Sequence, residues 1–220
     1  MSFSAASSVP AATLRIKVCG MRQPENIAAV GALEPDFLGF IFYLKSARCV
    51  PATLTAAQLP QLPAGCRKVG VFVNESTAVI REKVAQLGLD LVQLHGDETP
   101  AQCAELQAAG IPVIKAFAVD AVFDFDQLRP YVSSCTYFLF DTKGEQPGGN
   151  GTAFDWRILQ GYDLSVPYFL AGGLELEHAA ALQQLQLPGL YAVDLNSRFE
   201  IQPGIKDAAR LAPMFRQLRS

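Results

Sequence analysis

The sequence predicts a single-domain α/β protein, a (β/α)₈ TIM barrel of eight parallel strands with outer helices. Short β-rich runs alternate strictly with longer helix-like stretches, which points to a parallel sheet. The runs are near-continuously apolar, as parallel strands covered on both faces must be. Eight such units fit within 220 residues, which suits a small closed barrel. An open doubly wound sheet usually carries about five or six strands and a glycine-rich first turn. The first turn here is Cys19-Gly20-Met21, with no GxGxxG.

The first strand is read as Leu14 to Cys19, and Pro24 opens a helix to Ala32, proline being well placed in a first helical turn. Phe37 to Phe42 is the second strand, followed by a helix in the Thr53 region. Val69 to Val73 is the third. Helical spacing then runs from Glu75 to Leu87, where Gly88 ends it. Leu91 to His95 is the fourth strand, and Thr99 caps a helix that ends near Gly110. Pro112 to Phe117 and a short helix from Asp124 to Tyr131 form the fifth unit. Tyr137 to Asp141, a glycine-rich loop and a helix from Asp155 form the sixth. Tyr168 to Ala171 with a helix from Glu175 to Leu185, then Tyr191 to Asp194 with a helix from about Lys206 to Leu218, complete the set. Residues 1–12 read as a loose tail and 13–220 as the barrel. The tail has no Lys or Arg and no apolar core, so it is a poor signal peptide.

Net charge is -3, with no basic run to neutralise phosphates, so nucleic acid is an unsuitable partner. No stretch approaches the ~20 apolar residues of a membrane span. The five cysteines, Cys19, Cys49, Cys66, Cys103 and Cys135, are scattered and never spaced as CxxC. They read as free thiols in a reducing compartment, the cytoplasm. With two histidines, His95 and His178, no metal site is expected. Nothing in the sequence chooses between a monomer and a homodimer.

Active sites of such barrels lie at the C-terminal ends of the strands. The polar residues there are Cys19, Arg48, Asn74, His95, Asp141, Gly172-Gly173 and Asp194. Cys19 is a packed small residue or a base, and a base at neutral pH must ionise below about 8.5. Asp141 closes an apolar strand, either bonding to the next loop or serving as a general acid. Arg48 is a surface arginine or a carboxylate fork. His95 polarises a ligand or caps a loop. Gly148 and Gly149 after the sixth strand, Gly172 and Gly173 after the seventh, and Asn196-Ser197 after the eighth suggest a phosphate nest. His178, Trp156 and the other cysteines read as structural.

These residues resemble a known family. Lys17-Val18-Cys19-Gly20-Met21 looks like the opening motif of phosphoribosylanthranilate isomerases. Gly39-Phe40-Ile41-Phe42-Tyr43 with Lys45-Ser46 and Arg48 looks similar, as do Val69 to Asn74 and Val92-Gln93-Leu94-His95-Gly96. Phe140-Asp141-Thr142, Gly148 to Gly151, Phe154-Asp155-Trp156, Leu170 to Leu174, Ala192-Val193-Asp194, Pro203-Gly204 and Lys206-Asp207 follow in order.

The resemblance implies an Amadori rearrangement in tryptophan biosynthesis. N-(5-phosphoribosyl)anthranilate becomes 1-(2-carboxyphenylamino)-1-deoxyribulose 5-phosphate. It implies that Asp141 protonates the furanose oxygen and Cys19 removes the proton from the sugar C2. The ring-opened iminium is its own electron sink, so no cofactor is implied, and the partner is a small phosphosugar. Arg48 would hold the anthranilate carboxylate; Gly148, Gly149, Gly172, Gly173, Asn196 and Ser197 would hold the phosphate.

The chain departs from the family pattern after Asp194. Two serines, a glycine and a small apolar residue are usual there, and this chain has Asn196-Ser197-Arg198-Phe199. Arg198 either alters the backbone approach to a phosphate or supplies a charge in its place. The role of Asp194 stays open between chemistry and structure. The alternatives are another phosphosugar enzyme on the same barrel, for which Lys115 is the tempting residue, and a barrel that binds a phosphate ligand without catalysis.

Overall fold

The computed structural model describes residues 14–51, 54–59, 62–142, 156–184 and 187–220. The expected tail, Thr53, Asp155, Leu185, Gly148 and Gly149 lie outside the described residues. Eight parallel strands close into a barrel in sequence order. They are β1 (Arg15–Val18), β2 (Phe37–Ile41), β3 (Arg67–Phe72), β4 (Leu91–Leu94), β5 (Val113–Val119), β6 (Tyr137–Thr142), β7 (Tyr168–Ala171) and β8 (Leu190–Leu195). The seam joins β1 to β8, with Lys17 opposite Asp194. A small antiparallel pair, β9 (Glu200–Gln202) and β10 (Ile205–Lys206), follows β8.

Among the described residues, five α-helices follow strands: α1 (Pro24–Gly31), α2 (Thr77–Leu87), α3 (Pro100–Ala108), α4 (Ala179–Gln184) and α5 (Ala208–Arg219). The caps are as the sequence spells them. Ser76 accepts from Val79 N–H at the start of α2, and Gly88 closes it in the left-handed region. Thr99 accepts from Gln102 N–H at the start of α3.

Three expected helices are instead 3₁₀ segments: Ala56–Gln58, Phe125–Tyr131 and Trp156–Gly161. Pro130 sits inside the second and removes a backbone donor. The connection after β7 begins as a 3₁₀ turn at Leu176–His178 before α4 takes over. The last helix starts at Ala208, because Lys206 is spent on β10 and Asp207 caps the helix by accepting from Ala209 and Arg210 N–H.

Two apolar layers hold the barrel. Between strands and helices, residues such as Ile16, Phe72, Phe138, Leu170 and Met214 are fully buried. Inside the barrel, Phe37, Val69, Leu91, Ile114, Leu139, Phe169 and Ala192 form a separate plug. Each such large side chain contributes roughly 1.5–3 kcal/mol by leaving water. Side chains alternate along a strand, so residues two apart share a face. Leu91 in the plug therefore puts Gln93 and then His95 on the inner face. Leu139 does the same for Asp141, and Ala192 for Asp194 and Asn196. The inner stack thus changes from hydrocarbon to polar toward the C-terminal mouth.

Candidate active site

One pocket at that mouth is lined by Cys19, His95, Asp141, Gly172, Gly173, Asp194, Asn196, Ser197 and Arg198. Nine residues expected from strand ends therefore share a wall, although they come from β1, β4 and β6 to β8 or from the turns after them. Arg48 stands beside this group: its Cδ would be 3.0 Å from a Cβ on Gly20.

Cys19 is buried, 4% exposed, and its sulfur lies against β2. Its close approach needs Gly39, where a Cβ would fall 2.7 Å from Sγ and 3.1 Å from the Cys19 Cα. Burial pushes the Cys19 thiol up; Lys17 draws it back, Asp194 pushes it up again, and Lys206 lowers it, with a net upward result. This is opposite to the lowered thiol expected of a base at a strand end. Burial costs the thiolate more than two nearby ammonium groups return.

Beneath the mouth lies a polar layer that the strand-end reading missed. Lys17, fully buried, donates to Asp194 Oδ2 at 2.7 Å and to Gln93 Oε1 at 2.9 Å. Its charge also acts on Cys19, two residues along the same strand end. Burial alone would lower the Lys17 ammonium, but Asp194 and Cys19 outweigh it and hold the group up and charged. Asp194 is pushed up by burial and drawn back by Lys17. Its Oδ1 is buried without a hydrogen-bond partner among the described residues. Gln93 Nε2 meets His95 Nδ1 at 2.8 Å, and His95 Nε2 lies 3.5 Å from Asp141 Oδ2. The missed signal was a lysine and a glutamine inside apolar strands, each two residues before a mouth residue.

The rim carries a second network. Arg48 Nε and Nη2 both donate to Glu200, which also accepts from Lys206 Nζ and from Gly204 N–H. Burial raises the Glu200 carboxyl, but Arg48, Lys206 and Gly204 overcome it and leave it below its ordinary value. Lys206 Nζ donates also to Asn196 Oδ1 at 2.6 Å. Arg198, more than half exposed, pairs with Glu175 at 3.1 Å beside the Gly173 turn. Gly172 and Gly173 take φ values of 107° and 64°, which turn the backbone at the end of β7 in a way open mainly to glycine.

Other candidates have structural places. Buried Lys115 pairs with Glu98 at 3.2 Å, and Glu98 receives Asn74 and Gly96 N–H, tying the turns after β3 and β4 together. His178 Nδ1 accepts from Glu175 N–H, and its ring packs edge-on to Trp156. All five cysteines are free.

The model of one family, described as N-(5'phosphoribosyl)anthranilate (PRA) isomerase, matches residues 16–217. This chain belongs to that family. A phosphoribosylanthranilate isomerase of Parabacteroides distasonis is 45% identical over 206 residues, covering 92% of each chain. The solved phosphoribosylanthranilate isomerase of Thermotoga maritima has a TM-score of 0.82 at 32% identity, over 93% of this chain and 98% of its own. Another solved phosphoribosylanthranilate isomerase, in complex with reduced 1-(o-carboxyphenylamino)-1-deoxyribulose 5-phosphate, has a TM-score of 0.77 at 29% identity, over 93% and 98%. The protein is thus an enzyme, an isomerase of a tryptophan-biosynthetic family with a (β/α)₈ barrel. Among the described residues, no helix is long and apolar enough to cross a membrane.

Proposed function

We propose that this enzyme converts N-(5'-phosphoribosyl)anthranilate into 1-(o-carboxyphenylamino)-1-deoxyribulose 5-phosphate in the cytoplasm, with Asp141 as general acid and Cys19 as general base. The observation that carries the reading is a single pocket holding a thiol, a carboxyl group and a glycine turn, in a family with a relative bound to the reduced product.

Asp141 protonates the furanose oxygen, and the C1–O bond breaks to leave an iminium. Cys19 takes the proton from C2, and the resulting enolamine tautomerises to the ketone. The iminium placed beside Sγ favours the thiolate and offsets the burial that opposes it. One positioned acid and one positioned base each contribute about 10²–10⁴-fold.

The backbone of Gly172, Gly173, Asn196 and Ser197 holds the phosphate, together with Gly148 and Gly149. Arg48 takes the anthranilate carboxylate with the part of its fork that Glu200 does not use. Asp194 Oδ1, buried with no partner among the described residues, suits a sugar hydroxyl.

The test follows the fluorescence of phosphoribosylanthranilate as it is consumed. Wild-type turnover that collapses in both Cys19→Ser and Asp141→Asn is the expected result. Undiminished turnover in either variant removes that residue from its role.

A further inference from the structure

We infer that Lys17 and Gln93 are positioning residues that fix the tautomer of His95, so that this ring presents an N–H to Asp141. One amide links the lysine to the ring. A lysine ammonium has three donors and no acceptor. Lys17 Nζ lies 2.9 Å from Gln93 Oε1, so the amide must keep its oxygen on that side. Turned over, it would set N–H groups against N–H groups in a place where Lys17 is 0% and Gln93 1% exposed, which leaves buried donors facing each other. Asp194 Oδ2, 2.7 Å from Nζ, anchors the lysine.

The amide nitrogen is then committed as a donor toward His95 Nδ1 at 2.8 Å. That ring nitrogen has to offer its lone pair. A neutral imidazole carries one hydrogen, so the hydrogen is on Nε2, which faces Asp141 Oδ2 at 3.5 Å. An N–H at Oδ2 leaves Oδ1 to carry the proton that the acid delivers. It also stops His95 from taking that proton itself. The same buried lysine also draws the Cys19 thiol down electrostatically, so one ammonium group bears on both ends of the proton chemistry. The consequence for turnover rests on the proposed role of Asp141; the tautomer does not.

The test is a long-range ¹H–¹⁵N correlation spectrum of histidine-labelled enzyme at about pH 8, above the ordinary histidine value. His178→Gln removes the other ring of the two. The wild-type His95 is expected to show a bare Nδ1 and a hydrogen on Nε2. A dominant Nδ1–H form overturns the inference. Gln93→Glu places an acceptor at Nδ1 and should move a hydrogen there; Gln93→Leu should give mixed tautomers. A single unchanged Nε2–H form in both variants overturns it too.

In turnover of phosphoribosylanthranilate, Gln93→Leu is expected to lower kcat at least about tenfold with KM within about twofold. An unchanged kcat overturns the consequence for catalysis. If the wild-type enzyme leaves this substrate intact, the proposed function fails while the spectrum still decides the tautomer.

Discussion

Arg48 presents the Nε–Nη2 edge of its guanidinium to Glu200, with Nε 2.9 Å from Oε1 and Nη2 2.7 Å from Oε2. The proposed anthranilate fork is therefore already held by a carboxylate of the chain itself. Such a pair fixes the plane of the fork before any ligand arrives.

Glu200→Gln should loosen Arg48 and strand Lys206, which is buried and draws on the same carboxylate. We expect a loss of about 2–4 kcal/mol, read from urea midpoints. The Glu200 carboxyl titrates below its ordinary value in the folded protein. Its contribution is then complete above the free glutamate value of about 4.3 and is lost as the pH falls through the lower folded value. The gap between wild type and Glu200→Gln should thus be widest near neutrality and narrow under acid. A gap that stays constant down to about pH 3 would show that the charge is not what stabilises.

The pH–rate profile should reflect the raised Cys19 thiol. A base must be deprotonated, so kcat/KM should climb with pH along a limb lying above about 8.5. Cys19 is faced by Lys17, Lys206 and Asp194. Arg48 also interacts with the thiol; Lys206→Met removes one of these positive charges and should move that limb further up. A limb that shifts downward in this variant would contradict the electrostatic reading.

Gly39→Ala tests the packing of the thiol. The new methyl would fall 2.7 Å from Sγ, and the nearby Cys19 backbone cannot swing away as a flexible side chain could. A displacement of about 1 Å can cost about 10²-fold in rate, so we expect a fall of that order in kcat. Overpacking should also cost about 1–3 kcal/mol of stability. Full activity in this variant would mean that the exact seat of the sulfur is unimportant.

Arg198, read from the sequence as a departure from the family pattern at the mouth, lines the pocket. Arg198→Ala should raise KM about five- to tenfold with little change in kcat, the loss of one charge-assisted contact. Inorganic phosphate should weaken in parallel as a competitive inhibitor. The exposed Arg198–Glu175 pair stabilises the fold by no more than about 1 kcal/mol, so the thermal midpoint should barely move. Equal KM values in the two proteins would make Arg198 a bystander.

Strand ends were legible in the sequence because a polar residue closing an apolar run has nowhere to go but the mouth. Cys19, His95, Asp141 and Asp194 were found that way. Lys17 and Gln93 were passed over as parts of apolar strands, since period-two alternation is hidden when both faces are buried. Helices with proper caps, such as α2 and α3, were read nearly to the residue. The segments that became 3₁₀ turns were read as helices from their place after a strand, and Pro130 interrupts one of them. Arg48 and Glu200 lie 152 positions apart, and the closure of the barrel, which sets β8 beside β1, brings the segments after β2 and β8 together. The upward shift of Cys19 was not legible, because a strand end reveals location and not depth of burial.

The pairing of Lys17 with Asp194 spans the seam between the first and the last strand. The barrel's circle is therefore closed by the very charges that sit under the thiol. A nascent chain still lacking its final strand has an uncompensated ammonium below Cys19 and no finished mouth. The pocket wall from β8 and the partner of Lys17 are in place only once the two termini of the sheet have met, so activity during folding should appear no earlier than ring closure.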